Sequence, residues 1–115
     1  MLIIRPEQME LIQAGKVEEL IDWIETHLHT HFPERSEGMG PEKLRLFIEE
    51  SYECCEELGV TSSASICKFV DMRLALGENF YQSSDYPWAA RILFDESIPD
   101  VNERVEQMSQ IAGRL

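Results

Sequence analysis

The sequence lacks a long apolar segment, and no stretch approaches the ~20 apolar residues that a transmembrane helix requires. Only the four apolar residues Met1–Ile4 precede Arg5, which is too few for the apolar region of a signal peptide. Cysteine is scarce as well, and the residues Cys54, Cys55 and Cys67 form no CxxC motif. This number and spacing disfavour a disulfide scaffold or a zinc knot, and they fit a reducing compartment. We expect a cytoplasmic protein that does not enter a membrane.

Basic residues are also few. The chain has 10 lysines and arginines against 22 aspartates and glutamates, which gives a net charge of −12. Such a chain repels a phosphate backbone, so we expect no nucleic-acid partner. The same field would speed its encounter with a basic protein surface. Acidic residues also serve solubility alone, so the charge indicates the kind of partner without requiring one.

Recognisable catalytic motifs are missing from the sequence. It contains no glycine-rich phosphate loop and no GxSxG motif. The three cysteines fall in predicted helices without a histidine nearby in sequence, and we expect Cys55 and Cys67 in the core. The five glutamates within residues 49–57 are typical of a solvated helix face. We therefore predict a protein that is not an enzyme, with no catalytic residue and no cofactor.

Three histidines form a candidate metal motif near the end of a predicted helix. His27 and His31 are four residues apart, so their imidazoles could share one metal ion, whereas His29 points away from them. Histidines in a last helical turn also interact well with the exposed carbonyls and the helix dipole. No HExxH arrangement accompanies them. We favour the second interpretation and predict no metal site.

Helical periodicity dominates what the sequence does contain. Apolar residues recur at spacings of three and four, and no alternating run competes as a strand. The segment 61–77 is apolar on two sides, which predicts a central helix. One clear stripe precedes Pro33 and consists of Val17, Leu20, Ile21, Ile24, Leu28 and Phe32. We predict an all-α fold, a compact bundle of five to six helices, as a single domain over residues 1–115.

Proline, glycine and capping residues predict the helix boundaries. Pro6 opens a first helix, and Gly15 either kinks this helix or separates it from a second one; we favour one nearly continuous helix with a weak point at Gly15. Residues 33–41, with two prolines and two glycines, are predicted as a loop. A helix from Pro41 is expected to stop at Gly59. The next helix begins with the cap Thr61 or Ser62, and the last follows a capping box formed by Ser97 and Asp100.

Aromatic residues are concentrated in one segment. Phe80, Tyr81, Tyr86 and Trp88 fall within nine positions, beside Asp85. Tyrosine and tryptophan are enriched at binding hot spots because they bury a large area at low entropic cost. We expect Trp88 to hold a short helix onto the core, and Tyr81 and Tyr86 to lie at the surface.

Five segments carry a resemblance to a known family. They are LIIRPEQM (residues 2–9), HLHTHFP (27–33), GVTSSASICKFVDM (59–72), ALGENF (75–80) and PWAARILFD (87–95). On these segments the chain resembles small bacterial proteins encoded beside type VI secretion effectors, spike proteins and PAAR tip proteins. The resemblance spans nearly the full length and is densest from residue 59 onward.

The resemblance implies a protein-binding accessory of type VI secretion. Such a chaperone, co-chaperone or adaptor loads or stabilises an effector, together with an adaptor or a PAAR or spike protein. The alternative is an immunity protein that neutralises a cognate toxin, a role that an acidic surface suits against a basic nuclease. We expect the binding surface between the helices that end at Gly77 and start at Pro87. Its charge would come from Asp71 and Asp85, and its anchors would be Phe80, Tyr81 and Tyr86.

Overall fold

Apolar spacing and well-placed prolines turn most of the chain into helix. The computed structural model describes residues 14–114, which contain six α-helices, one short 3₁₀ helix and no strand. The helices are α1 (Ala14–His31), α2 (Pro33–Met39), α3 (Pro41–Leu58), α4 (Ser63–Leu76), the 3₁₀ helix Phe80–Gln82, α5 (Pro87–Leu93) and α6 (Val101–Ala112). The predicted all-α bundle of five to six helices is confirmed. The helix expected to open at Pro6 lies outside the described residues.

Several helix boundaries follow the predicted signals. Pro41 and Pro87 occupy the first turn of α3 and α5, where the missing N–H costs no intrahelical hydrogen bond. Gly59 ends α3 in the left-handed conformation with φ 82°, and its N–H donates to the carbonyl oxygens of the last turn. Ser62 caps α4, because its hydroxyl oxygen accepts from the Ser65 N–H at 3.5 Å. Prolines, a glycine and a capping serine therefore set these helix boundaries.

Two local predictions are wrong. Residues 33–39 form α2 instead of a loop, because Gly38 and Gly40 lie at the helix end and tertiary contacts hold the preceding turn. In that turn, the Ser36 hydroxyl bonds to His29 Nδ1 at 3.0 Å. The capping box does not form either. Asp100 itself caps α6 by accepting from the Asn102 N–H at 2.9 Å, while Ser97 donates to Asp95 Oδ1 at 2.6 Å.

The core is built around α4. This helix packs against α1, α3 and α6 and contacts the 3₁₀ helix, as its two apolar sides predict. Its fully or nearly buried residues include Ile66, Cys67, Phe69, Val70, Met72 and Leu74. The stripe of α1 packs into the same core through Leu20, Ile21, Ile24 and Leu28. None of the described helices is long and apolar enough to cross a membrane.

Candidate functional site

The predicted aromatic anchors lie mainly in the packed corner between α4 and α5. Phe80 is 1% exposed and packs against Phe69, with ring centroids 5.6 Å apart. Tyr81 is half-buried, and its hydroxyl lies 3.5 Å from Cys54 Sγ. This hydrogen bond, followed by burial, raises the pKa of Tyr81 to about 12. The side chain of Phe80 is thus unavailable to a partner, and that of Tyr81 is partly accessible.

Tyr86 and Asp85 lie closer to solvent. Asp85 is exposed, and Tyr86 is half-buried with its ring edge-on to Trp88 at 6.0 Å. Trp88 packs against the core, as expected for a residue that holds α5 in place. Asp71 instead contacts α1. The structure therefore does not bring the five predicted residues into one surface.

A groove between α1 and α3 combines apolar side chains with many carboxylates. Its apolar lining comes from Val17 and Ile21 on α1 and from Leu46 and Tyr52 on α3. The groove has a volume of about 390 Å³, and Leu46 is 55% exposed. The other lining residues are Glu18, Glu49, Glu50, Glu53 and Glu56. We call this surface the acidic groove.

Arg45 links the two helices beside the acidic groove. Its guanidinium donates to Glu18 at 2.8 Å and to Asp22 at 2.7 Å. Among the described residues, no lysine or arginine lines the groove. The sequence has none between Arg45 and Lys68. The C-terminal half of α3 therefore presents negative charge that no basic residue of its own helix offsets.

A second group of polar side chains lies between α1 and α4. His27 Nε2 is 2.9 Å and 3.0 Å from the two carboxylate oxygens of Asp71. Cys67 lies one turn before Asp71, and the ligand atoms of the three residues are all within 4.8 Å of one another. The His27 ring stacks on Trp23 at 5.7 Å and lies 4.4 Å from the His31 ring. We call His27, Cys67 and Asp71 the His–Cys–Asp cluster.

Burial raises the pKa of Cys67 and of Asp71 in this cluster. It raises the pKa of Asp71 above the ordinary value, although the hydrogen bond to His27 opposes the rise. The pKa of the Cys67 thiol is also raised, first by burial and then by the negative charge of Asp71. Because the thiolate is the reactive form of cysteine, Cys67 is not an activated nucleophile in this arrangement.

The spacing of residues along one helix does not predict the whole cluster. Sequence spacing pairs His27 with His31 on the same helix, whereas in the structure His27 contacts Asp71 on α4. The four-residue spacing of Cys67 and Asp71 is a usable signal, because such residues share a helix face. The register of α4 against α1 depends on packing between distant segments, which a single sequence does not display.

The two sites differ in the chemistry that they offer. The acidic groove can contact an apolar side chain and several cations of a partner at once. The His–Cys–Asp cluster offers one nitrogen, one sulfur and carboxylate oxygen within a small volume. Comparison with known proteins adds no relative: no family model, curated protein or solved structure matches the chain.

Proposed function

We propose that this protein is a non-enzymatic accessory of type VI secretion that binds an effector and loads or stabilises it as a chaperone, co-chaperone or adaptor. The observation that carries protein binding is the acidic groove, where Leu46 is exposed among carboxylates. The secretion setting rests on the sequence resemblance alone. An adaptor, PAAR protein or spike protein would be a further partner.

The acidic groove suits a basic amphipathic segment of the effector. Single exposed apolar residues are common on protein surfaces, but Leu46 shares a groove with Val17, Ile21 and Tyr52. An apolar side chain of a partner would remove this patch from water, as in helix-in-groove recognition. The surrounding glutamates would pair with lysine or arginine on the partner and speed the encounter.

Asp85 and Tyr86 remain a second candidate contact, since both reach the surface near α5. If Tyr86 is an anchor, Tyr86→Ala should weaken effector binding by about 2 kcal/mol, mainly through faster dissociation. If Tyr86 only packs on Trp88, the same variant should lower the melting temperature and leave the affinity unchanged. Calorimetric melting and binding kinetics on this one variant separate the two roles.

An immunity protein is the second candidate function. The same negative groove would fit the basic surface of a nuclease toxin and cover it. The two functions predict different consequences when the gene is deleted. Loss of a loading accessory stops effector delivery and leaves the producing cell healthy, whereas loss of an immunity protein poisons cells that make the toxin.

Deletion in the native host, with effector delivery and cell viability measured together, tests the proposed function. We expect delivery of one effector to fail while viability is retained, and the intact gene to restore delivery. Normal delivery would contradict the loading function. Toxin-dependent death would instead identify immunity as the function.

A further inference from the structure

The His–Cys–Asp cluster draws metal-ligand side chains from two helices to one place. Cys67 and Asp71 are four residues apart on α4, so they project from the same face. His27 reaches them from α1, 44 positions from Asp71 along the chain. Nitrogen, sulfur and oxygen atoms of these three residues already lie within 4.8 Å of one another. The arrangement therefore comes from tertiary packing and not from a local sequence motif.

We propose that His27, Cys67 and Asp71 bind one divalent transition-metal ion of borderline softness, of which Zn²⁺ is the chief example. Zinc accepts histidine nitrogen, cysteine sulfur and carboxylate oxygen, with bonds of about 2.0–2.3 Å. Ligand atoms around a tetrahedral ion of that size are roughly 3.5 Å apart. The Nε2–oxygen distances of 2.9 Å and 3.0 Å would have to lengthen only slightly to admit the ion.

A doubly charged cation satisfies the charge balance of the cluster. On binding, Cys67 Sγ releases its proton to water and donates an electron pair to the metal, which forms the sulfur–metal bond. Asp71 contributes a second negative charge, and His27 contributes the neutral lone pair of Nε2. The thiolate and carboxylate together neutralise the two positive charges of the ion. A neutral site is the arrangement that a partly buried position between helices tolerates best.

Solvent reaches the cluster on the side of His27 and Asp71, whose side chains are 20% and 28% exposed. A shallow groove of about 500 Å³, lined by residues that include Trp23, His27 and His31, opens beside it. His31 is exposed and its ring lies 4.4 Å from that of His27, so this side of the cluster faces solvent. Three protein ligands with one open position resemble the coordination of zinc sites that keep a bound water.

A plain interhelical hydrogen bond between His27 and Asp71 is the competing explanation of this geometry. The two explanations differ at Cys67, which takes no part in that hydrogen bond but would supply sulfur to a metal. Cobalt(II) distinguishes them, because thiolate coordination gives a sulfur-to-cobalt charge-transfer band in the near ultraviolet. Tetrahedral geometry gives intense visible bands as well. The measurement uses the untagged full chain, freed of metal with a chelator, and titrates it with Co²⁺ and then with Zn²⁺.

We expect one Co²⁺ per chain, a charge-transfer band and displacement of cobalt by Zn²⁺. Cys67→Ser should abolish the band, and His27→Gln or Asp71→Asn should weaken cobalt binding by at least about tenfold. The chain supplies matched controls: Cys54→Ser and His29→Gln lie outside the cluster and should leave the band and the affinity unchanged.

Folding is checked separately for each variant by its thermal melt without metal. Cys67→Ala provides a second variant at the buried cysteine in case Cys67→Ser does not fold. A folded wild-type chain that binds no cobalt, or binds it without a sulfur band, overturns the proposal. Binding that survives every cluster variant, or that Cys54→Ser abolishes, overturns it as well.

Discussion

At the residue scale, a positively charged side chain, that of Arg73, is buried in the core. Arg73 on α4 is only 7% exposed. Its guanidinium donates to the Ser51 hydroxyl and to the Glu78 carbonyl at 3.0 Å, and it lies 5.2 Å from the centre of the Phe47 ring. The Ser51 hydroxyl in turn donates a hydrogen bond to the Phe47 carbonyl oxygen at 2.7 Å. A buried charge is costly unless its donors are satisfied, so these contacts link α3 to α4.

Ser51→Ala should therefore destabilise the protein. The change removes an acceptor from a buried charged group, and we expect a loss of about 1–3 kcal/mol in the free energy of unfolding, measured with urea. Thr30→Ala is the control, because Thr30 makes a comparable bond to a carbonyl four residues earlier but lies exposed. It should change stability by no more than about 0.5 kcal/mol. Equal losses in the two variants would contradict the role of Ser51.

The buried thiol of Cys55 predicts a dependence of stability on alkaline pH. Burial, aided by Cys54, raises its pKa in the folded protein above the ordinary 9.0. Above pH 9, the unfolded chain therefore loses a proton that the folded chain keeps, and stability falls as pH rises. This group alone contributes a slope of at most about 1.4 kcal/mol per pH unit.

Cys55→Ala tests this slope through urea unfolding at several pH values between 8 and 10. The stability advantage of the wild type over the variant should shrink as pH rises. Val60→Ala, which also removes buried apolar atoms but no titrating group, should keep a constant difference from the wild type. A constant difference for Cys55→Ala would show that the thiol does not couple to folding.

At the element scale, one side chain joins the start of α4 to α6. Asn102 Oδ1 accepts from the backbone N–H groups of Thr61 and Ser62, both at 3.0 Å. Its Nδ2 donates to the Thr61 hydroxyl at 3.2 Å. Thr61 and Ser62 lie immediately before α4, where backbone N–H groups have no acceptor within the helix, so Asn102 supplies the acceptor from a distant element.

We predict that Asn102→Ala loosens this corner. Two backbone donors lose their acceptor, which should cost about 1–2 kcal/mol and raise amide hydrogen exchange at Thr61 and Ser62. Gln110→Ala, an exposed change on the same helix, should do neither. Unchanged exchange at both amides in Asn102→Ala would contradict the capping role.

The sequence predicted the helices and their boundaries better than it predicted the contacts between helices. Pro41, Gly59 and Ser62 fix boundaries through local backbone chemistry, which acts in the same way wherever the chain folds. Within α2, Ser36 contacts His29 of the preceding helix, and the Asn102 contact joins residues about 40 positions apart. Contacts of this kind form only when the helices pack together, so one segment of the sequence does not predict them.

At the scale of the whole molecule, negative charge is unevenly placed. In the described part of the chain, the acidic groove gathers five glutamates and an exposed leucine, and Arg45 lies at its border. The net charge of −12 indicated a basic partner, but the sequence could not locate the surface. The sequence instead predicted a binding surface in the aromatic segment, where Phe80 belongs to the core. The groove arises from two helices that lie side by side and is therefore a tertiary feature.

Comparing Leu46→Asp with Phe94→Asp in effector binding tests whether the acidic groove is the surface that binds the effector. Among the described residues, these two are the large exposed apolar side chains, 55% and 57% exposed, and of the two only Leu46 lines the acidic groove. The measurement is the dissociation constant for the effector whose delivery fails in the deletion strain, with folding of both variants checked by circular dichroism. We predict at least about a 30-fold loss of affinity for Leu46→Asp and an unchanged affinity for Phe94→Asp. Wild-type affinity in a folded Leu46→Asp variant, or an equal loss in both, would contradict binding through the acidic groove.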